Sequence, residues 1–264
     1  MKLTVKSIRE KKGKEKIVAL TAYDYPFARI LDEVGVDIVL VGDSLGMVVL
    51  GYDSTLPVTM REMIHHTKAV SRAVKKALIV GDMPFGSYHS SVEQAFRSAR
   101  RFVQEGSADA VKLEGGGAVI ETVKALSRTK IPVMGHLGMT PQTATLLGGY
   151  KVQGREPKAA REIVDDALRL EDAGIFSLVL ECIPHRLAER ITKKLSCPTI
   201  GIGAGPKTDG QILVLHDLLG FEGKVHPRFV RRYAQFEKEA KKAFSRYLTD
   251  VRASSFPSIK ESFE

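Results

Sequence analysis

The sequence is dominated by short, continuously apolar runs that are rich in Val and Ile and end in Gly or polar residues. A strand with one solvated face alternates apolar and polar residues, whereas continuous runs are typical of strands buried on both faces, as in parallel sheets. These runs therefore predict a parallel α/β fold. They are IVALTAY (17–23), DIVLVGDS (37–44), LIVGDMPF (78–85), AVKLEGG (110–116), IPVMGHLG (131–138), SLVLECIP (177–184) and PTIGIGAG (198–205), with QILVLHD (211–217) as a possible eighth.

Helical segments separate most of these runs. TMRE (59–62) has capping-box spacing and predicts a helix to about Lys76, and SSVE (90–93) does the same for a helix to about Glu105. Three glycines stand where a helix would end in a left-handed residue: Gly35, Gly106 and Gly174. Alternation of strands and helices over a chain of this length predicts a (β/α)8 barrel, the TIM-barrel fold.

Two segments do not follow the alternation. Only about five residues separate the last two runs, whereas a parallel crossover normally needs a dozen or more, so 211–217 is either the eighth strand or partly helical. Residues 139–156 are Gly-rich and polar, which predicts a loop over the barrel mouth. We predict one barrel domain over residues 1–264, with a C-terminal helix from about Pro227 to Leu248 and a short tail.

Composition narrows the classes of partner. The formal net charge is +9, but the basic residues are spread along the chain without the interleaved aromatics of a single-strand binder, so no nucleic acid is expected. Two cysteines, Cys182 and Cys197, cannot build a disulfide framework and favour a reducing compartment. No run approaches the ~20 apolar residues of a membrane span and no secretory signal is visible, so we expect a cytoplasmic protein without a membrane partner.

Acidic residues recur at the ends of the apolar runs. The carboxyl ends of the strands form the active site in barrels of this kind. Several carboxylates at one mouth would repel each other, and a bound cation together with Lys112 would relieve that repulsion. The acids at five strand ends are Asp24, Asp43, Asp82, Glu114 and Glu181.

Asp43, Asp82 and Glu114 follow three successive runs and are candidate ligands of Mg²⁺, which prefers hard oxygen donors. The alternative is that each of them caps the helix that follows it. Lys112 alternates with Glu114, so both side chains point to the same face. Lys112 is then either a cation that binds a substrate carboxylate or one half of a structural ion pair.

Glu181 ends the sixth run, away from the three candidate ligands, and is a candidate general base; the alternative is a capping or salt-bridged Glu. His136 is a candidate donor to a substrate oxygen or a hydrogen-bonded core histidine. The run GIGAG (201–205) lacks dinucleotide-binding spacing and predicts a tight loop that lets a ligand approach the backbone.

Long ordered strings in the chain resemble the ketopantoate hydroxymethyltransferase family. The resemblance extends from about residue 3 to about residue 248. The strings are LTAYDYPFARILDEVGVDIVLVGDSLGMVVLGYDSTLPVTM, GDMPFGSY, VKLEGG, PVMGHLGMTPQ, LVLECIP, TIGIGAG and DGQILVLHDLLG.

The resemblance implies a magnesium-dependent barrel enzyme of pantothenate biosynthesis. Such an enzyme transfers the one-carbon unit of 5,10-methylenetetrahydrofolate to 3-methyl-2-oxobutanoate and forms ketopantoate. The resemblance also implies a large homo-oligomer, usually a decamer. By motif it assigns the metal to Asp43, Asp82 and Glu114, the oxo acid to Asp43, Ser44, Asp82 and Lys112, and proton abstraction to Glu181.

Two other functions are weighed against this one. A related metal-dependent barrel lyase or aldolase would act on a 2-oxo acid with nearly the same ligands but another electrophile. A non-catalytic ligand-binding barrel would keep the fold and lose the chemistry.

Overall fold

The computed structural model of the chain describes residues 1–144, 151–221 and 227–264, and within these ranges eight parallel strands form a closed barrel. Each strand pairs with the next, and the last pairs with the first. The predicted barrel is therefore confirmed. The strands are β1 (Ile17–Thr21), β2 (Ile38–Val41), β3 (Leu78–Asp82), β4 (Ala110–Glu114), β5 (Val133–Gly138), β6 (Ser177–Glu181), β7 (Thr199–Ile202) and β8 (Gly210–Leu213).

Helices follow most of the strands along the chain. They are α1 (Val5–Glu10), α2 (Tyr25–Val34), α3 (Leu45–Val48), α4 (Met60–Ala73), α5 (Val92–Gln104), α6 (Ile120–Arg128), α7 (Pro157–Ala173), α8 (His185–Lys194), α9 (Leu215–Leu219) and α10 (Phe236–Arg252). Short 3₁₀ helices span Gly117–Val119, Pro141–Thr143 and Ile259–Glu261. Within the described ranges, no helix is both long and apolar enough to cross a bilayer.

The chain divides into two compact units, Met1–Val214 and Leu215–Glu264. The first contains the whole barrel, and the second contains α9, α10 and the tail. That the two units make up one domain stays a prediction.

The eighth strand exists, although the connection before it is shorter than a usual parallel crossover. Seven residues, 203–209, join β7 to β8 without a helix. Gly203 and Gly205 take positive φ angles of 61° and 82°, which allow the tight reversal. Asp209 then accepts from the backbone N–H of Thr199 at 2.8 Å, which ties the return to β7. The predicted helical character appears just beyond the strand, in α9.

Continuous burial holds for most of the barrel but not for β1 and β8. Strands β2, β3, β4 and β7 are buried at every position, whereas β1 and β8 alternate. Val18 in β1 is exposed and lies opposite the exposed Gln211 in β8. The reason is that no helix is inserted between β7 and β8 to cover this part of the barrel.

Two helix ends differ from the sequence prediction. Helix α4 begins at the predicted Thr59–Glu62 capping box, but α5 is capped by Ser91, one residue later than predicted, whose hydroxyl accepts from Gln94 N–H. Gly106 does not take a left-handed conformation; Ser107 does, with φ of 57°. Glycine is required at 106 because a Cβ there would lie 2.6 Å from the Phe102 carbonyl oxygen.

Gly35 and Gly174 are left-handed helix caps as predicted, with φ of 87° and 102°.

The predicted start of the C-terminal helix is wrong, because α10 begins at Phe236 rather than near Pro227. The chain before it is held in another conformation because Tyr233 N–H donates to the Leu218 carbonyl at 2.8 Å.

Asp32 in α2 is buried and holds the segment that leads into β3. Its two oxygens accept from the backbone N–H groups of Lys75, Lys76 and Ala77 at 2.8–2.9 Å. Burial alone would raise the pKa of Asp32, but these three donors outweigh it and lower the pKa. The ionised carboxylate therefore stabilises the folded state.

We expect Asp32→Asn to destabilise the protein by about 1–3 kcal/mol at pH 7, because an amide cannot accept all three bonds. Since the folded pKa of Asp32 is lowered, the stabilisation is present above the unfolded pKa of ~3.9 and is lost as the pH falls through the folded pKa. Urea denaturation at pH 7 and at pH 3 measures both effects. The control is Asp172→Asn, at an exposed position of α7. Equal stability of Asp32→Asn and wild type at pH 7 would contradict this account.

Candidate active site

The structure brings most of the predicted site residues together at the carboxyl ends of neighbouring strands. Parallel strands all end at the same rim, so residues at those ends converge on the barrel mouth. Asp43 follows β2, Asp82 ends β3, Lys112 and Glu114 lie in β4, His136 lies in β5 and Glu181 ends β6. All except Glu181 are buried.

Lys112 lies between two of the candidate metal ligands. Its ammonium Nζ is 2.7 and 2.8 Å from the two oxygens of Asp82 and 3.4 Å from Glu114 Oε1. Asp82 and Lys112 are register partners in β3 and β4, and the two-residue spacing puts Lys112 and Glu114 on one face, as predicted. Burial lowers the pKa of Lys112, but the surrounding carboxylates outweigh burial and raise it, so the ammonium stays charged.

Asp43 adds a third buried carboxylate to this cluster. Its backbone N–H donates to Asp82 Oδ2 at 3.3 Å, and its own Oδ2 accepts from Gln142 Nε2 at 2.8 Å. Burial and repulsion by Asp82 and Glu114 raise the pKa of Asp43 well above its ordinary value. Burial also raises the pKa of Asp82, despite Lys112 beside it.

Glu114 accepts donors on both oxygens. Oε1 faces Lys112 and lies 3.3 Å from His136 Nδ1, and Oε2 accepts from the Gln142 backbone N–H at 3.0 Å. Burial would raise the pKa of Glu114, but Lys112 and His136 outweigh it and lower the pKa to about 2. Glu114 is therefore ionised in the folded protein.

His136 connects this cluster to Glu181. Its Nε2 lies 3.2 Å from Glu181 Oε2, on the side opposite the Glu114 contact. Both contacts are ion pairs rather than well-aligned hydrogen bonds. Burial and Lys112 lower the pKa of His136, but Glu114 and Glu181 outweigh them and raise it to about 9. Glu181, predicted to be apart from the ligands, is thus linked to Glu114 through one imidazolium.

The helix-capping alternative does not describe the three clustered acids. Helix α3 begins after Ser44 without a side-chain cap, and α5 is capped by Ser91. After Glu114, neither the 3₁₀ helix nor α6 has a side-chain cap. Asp24, by contrast, caps α2 by accepting from Phe27 N–H at 2.9 Å. Ser44 Oγ lies at the mouth and forms a 2.8 Å hydrogen bond with the hydroxyl of Tyr23.

The predicted glycine loop after β7 has a packing reason for its composition. A Cβ on Gly205 would lie 2.4 Å from Cβ of His185 in α8. The suggestion that a ligand approaches the backbone of this loop stays a prediction.

Sequence reasoning missed two members of the site, Gln142 and Tyr88. The Tyr88 hydroxyl donates to Gln142 Oε1 at 2.7 Å and accepts from Glu114 N–H at 3.2 Å. Both residues are buried although they lie in connections between strands. Neither the apolar periodicity nor the strand ends marks such residues, because a polar residue in a loop is ordinarily solvated. Part of the predicted mouth loop, residues 145–150, lies outside the described residues.

The donor set fits a magnesium ion in charge and chemistry. Three buried carboxylates face one lysine and one histidine, and Glu181 borders the cluster, so negative charge is in excess. In the described part of the chain, no three Asp, Glu, His or Cys side chains are already spaced to hold one ion. Mg²⁺ commonly uses one or two carboxylates and keeps water and substrate oxygens. Asp43 and Asp82, which adjoin each other, meet that requirement.

A closed parallel barrel with a buried cluster of acids, a lysine and a histidine at its carboxyl rim defines an enzyme of the (β/α)8-barrel class. The model of the family described as ketopantoate hydroxymethyltransferase matches residues 2–259. The chain therefore belongs to the ketopantoate hydroxymethyltransferase family and is a transferase.

Curated relatives agree with this assignment. A 3-methyl-2-oxobutanoate hydroxymethyltransferase from Thermoanaerobacter sp. (strain X514) is 58% identical over 253 residues, which are 96% of this chain and 92% of the relative. Enzymes of the same name from Carboxydothermus hydrogenoformans and Bacillus cereus (strain G9842) are 53% and 52% identical over 263 residues. They cover 99% and 100% of this chain, and each match covers 95% of the relative.

Solved structures share the fold at much lower identity. A 2,3-dimethylmalate lyase of the PEP mutase/isocitrate lyase superfamily has a TM-score of 0.62 and 17% identity, over 100% of this chain and 92% of that one. Phosphonopyruvate hydrolase, solved with oxalate and Mg²⁺, also has a TM-score of 0.62, with 12% identity over 98% and 93%. These similarities establish the barrel fold and nothing finer.

Proposed function

We propose that the protein forms ketopantoate by transferring the one-carbon unit of 5,10-methylenetetrahydrofolate to 3-methyl-2-oxobutanoate, with Mg²⁺ as the metal. The name shared by relatives that are 52–58% identical supports the oxo acid as substrate. The proposal of a metal ion rests on the buried excess of negative charge around Asp43 and Asp82. Burying several carboxylates side by side is costly, and a bound cation offsets that cost.

The residues that would hold the ion are Asp43 and Asp82, with Glu114 as the third predicted ligand. Glu114 already accepts from Lys112 and from the Gln142 N–H, which supports an indirect role for it. When bound, Mg²⁺ supplies Lewis-acid polarisation of the substrate ketone, which makes the C3–H bond of the oxo acid more acidic.

Glu181 is the proposed proton acceptor. Its carboxylate is only partly exposed, with 12% of the side chain accessible, and its Oε2 faces His136. A proton taken from C3 of the oxo acid is then held on Glu181 beside the imidazolium. The resulting carbanion equivalent at C3 forms a bond to the methylene carbon of the folate, and both C–N bonds of that carbon break. One water supplies the hydroxyl oxygen and the protons of the two folate nitrogens, and the proton held on Glu181 passes to the new hydroxyl, so the products are ketopantoate and tetrahydrofolate.

The oxo-acid contacts proposed from the sequence lie around the same mouth. Lys112 and His136 are positively charged and would attract the carboxylate of the oxo acid, and the Ser44 hydroxyl would form a hydrogen bond with the oxo acid. Asp43 and Asp82 would contact the substrate only by sharing the ion with it. Lys112 is compatible both with a structural ion pair and with binding of a substrate carboxylate, because its ion pair with Asp82 also holds the ammonium at the barrel mouth.

The two rival functions differ from the proposed one in whether folate is needed and in whether a reaction occurs. A lyase or aldolase on this fold needs no folate, and a non-catalytic barrel binds without turnover. The solved lyase and hydrolase structures share the fold at 12–17% identity, which does not favour either rival.

We expect ketopantoate formation to need both the folate donor and a divalent ion. Product is measured with 3-methyl-2-oxobutanoate in three conditions: with both, without folate, and with folate plus EDTA. Activity should fall to background in the last two conditions, and in the EDTA sample it should return when excess Mg²⁺ is added. Turnover that persists in EDTA would contradict the proposed metal, and consumption of the oxo acid without folate would favour a lyase.

We expect Glu181→Gln to lower proton–deuterium exchange at C3 of 3-methyl-2-oxobutanoate by roughly 10²–10⁴-fold, because the amide cannot accept the proton. Exchange is followed by NMR with Mg²⁺ and without folate, so only the first half of the reaction is tested. The control, Glu162→Gln, changes an exposed residue of α7 and should exchange like wild type. Unchanged exchange in Glu181→Gln, or none in wild type, would rule out this base.

We also propose a cytoplasmic homo-oligomer. Phe244, Tyr247, Leu248 and Val251 of α10 are spaced along one helical face and are exposed, and exposed apolar patches of this kind mark interaction sites. The free cysteines, Cys182 and Cys197, are compatible with a reducing compartment.

Sedimentation velocity should show a large assembly, near the decamer implied by the family resemblance. Phe244→Glu should shift it towards smaller species, because a charge would be buried in the interface. Arg246→Glu, at an exposed position two residues away, serves as the control. A monomeric wild type at micromolar concentration would contradict the proposal.

A further inference from the structure

Gln142 contacts two of the candidate ligands, Asp43 and Glu114, and has no role in the mechanism above. It lies in the 3₁₀ helix that follows β5 and is only 3% exposed. Its side-chain Nε2 donates to Asp43 Oδ2 at 2.8 Å and to the Met83 carbonyl oxygen at 2.9 Å. These hydrogen bonds satisfy the buried amide of Gln142 and offset the cost of burying a polar side chain.

The network fixes the orientation of the Gln142 amide. Its oxygen accepts from the Tyr88 hydroxyl at 2.7 Å, and its nitrogen faces two acceptors, Asp43 and the Met83 carbonyl. Turning the amide over would place its oxygen against a carboxylate and a carbonyl, neither of which can donate. The amide therefore presents a donor to Asp43 in a defined direction.

Gln142 also contacts a second candidate ligand through its backbone. The Gln142 N–H donates to Glu114 Oε2 at 3.0 Å. The Tyr88 hydroxyl, which orients the amide, accepts from the Glu114 backbone N–H at 3.2 Å. Gln142 thus orients both the Asp43 carboxylate, which follows β2, and the Glu114 carboxylate, which lies in β4.

We propose that Gln142 is a positioning residue that orients Asp43 for the divalent ion. Asp43 is repelled by Asp82 and Glu114, so without a donor its carboxylate would turn away from them. Bonding to Oδ2 fixes the plane of the carboxylate and leaves Oδ1 to face another partner. This inference depends on the proposed function, since it requires that the cluster binds an ion.

The test compares Gln142→Met with wild type in calorimetric titrations of Mg²⁺ at saturating 3-methyl-2-oxobutanoate. Methionine has a similar volume and cannot donate, so the dissociation constant for Mg²⁺ should rise by about 10–100-fold, as for other residues that orient metal ligands. Gln104→Met, at an exposed position of α5, is the matched control and should bind like wild type.

Thermal unfolding of the ion-free proteins separates positioning from packing. A residue with only a structural role would lower the melting temperature of Gln142→Met and leave the dissociation constant unchanged, and that result would overturn the inference. If Gln142→Met does not fold, Tyr88→Phe replaces it, because it removes the donor that orients the amide. Tyr88→Phe should weaken Mg²⁺ binding several-fold, and unchanged binding would overturn the inference.

The experiment also separates this inference from the proposed function. A wild-type protein that binds no Mg²⁺ in the presence of the oxo acid would overturn both. Tight binding by wild type and an equal affinity in Gln142→Met would overturn the inference alone.

Discussion

The structure depends on the packing of three buried carboxylates against one buried ammonium. Asp43, Asp82 and Glu114 are all at most 4% exposed, and the Lys112 ammonium forms ion pairs with Asp82 and Glu114. Buried charges of this kind are costly unless opposite charges or hydrogen-bond donors lie beside them. The arrangement raises the pKa of Asp43 and Asp82 and lowers that of Glu114. Neighbouring carboxylates thus differ in their affinity for protons, and by the same physics they differ in their affinity for a cation.

The barrel provides the rigidity that this arrangement needs. Asp82 and Lys112 are held opposite each other by strand register, so their contact does not depend on loops. Asp43 and Gln142 lie just beyond strand ends, where the chain is less constrained, and they are tied to each other and to Tyr88. His136 extends the network to Glu181, so the proposed base and the proposed ion site share one chain of contacts. A substitution at Glu181 is therefore expected to alter the proposed ion site, and a substitution at the ion site to alter Glu181.

Much of this could be predicted from the sequence because it follows from local chemistry. Continuous apolar runs identified seven strands and left the eighth open, and the acids at the strand ends were predicted to meet because parallel strands end at one rim. What could not be predicted depends on contacts distant in sequence. Gln142 contacts Asp43 across 99 positions of the chain, and no local pattern marks it. Gly106 was misjudged partly for the same reason, since a Cβ there would lie 2.9 Å from the side chain of Thr67, which belongs to the preceding helix α4.

The central claim is that Asp43 and Asp82 hold a divalent cation together with the oxo acid. A crystal structure grown with Mn²⁺ and 3-methyl-2-oxobutanoate, with anomalous data collected for manganese, tests it directly. We predict one peak between the two carboxylates at a direct coordination distance, ~2.1 Å for ions such as Mg²⁺, with the ketone and carboxylate oxygens of the ligand on its other side. A peak elsewhere on the molecule, or a bound oxo acid without a peak beside these two residues, would contradict the account.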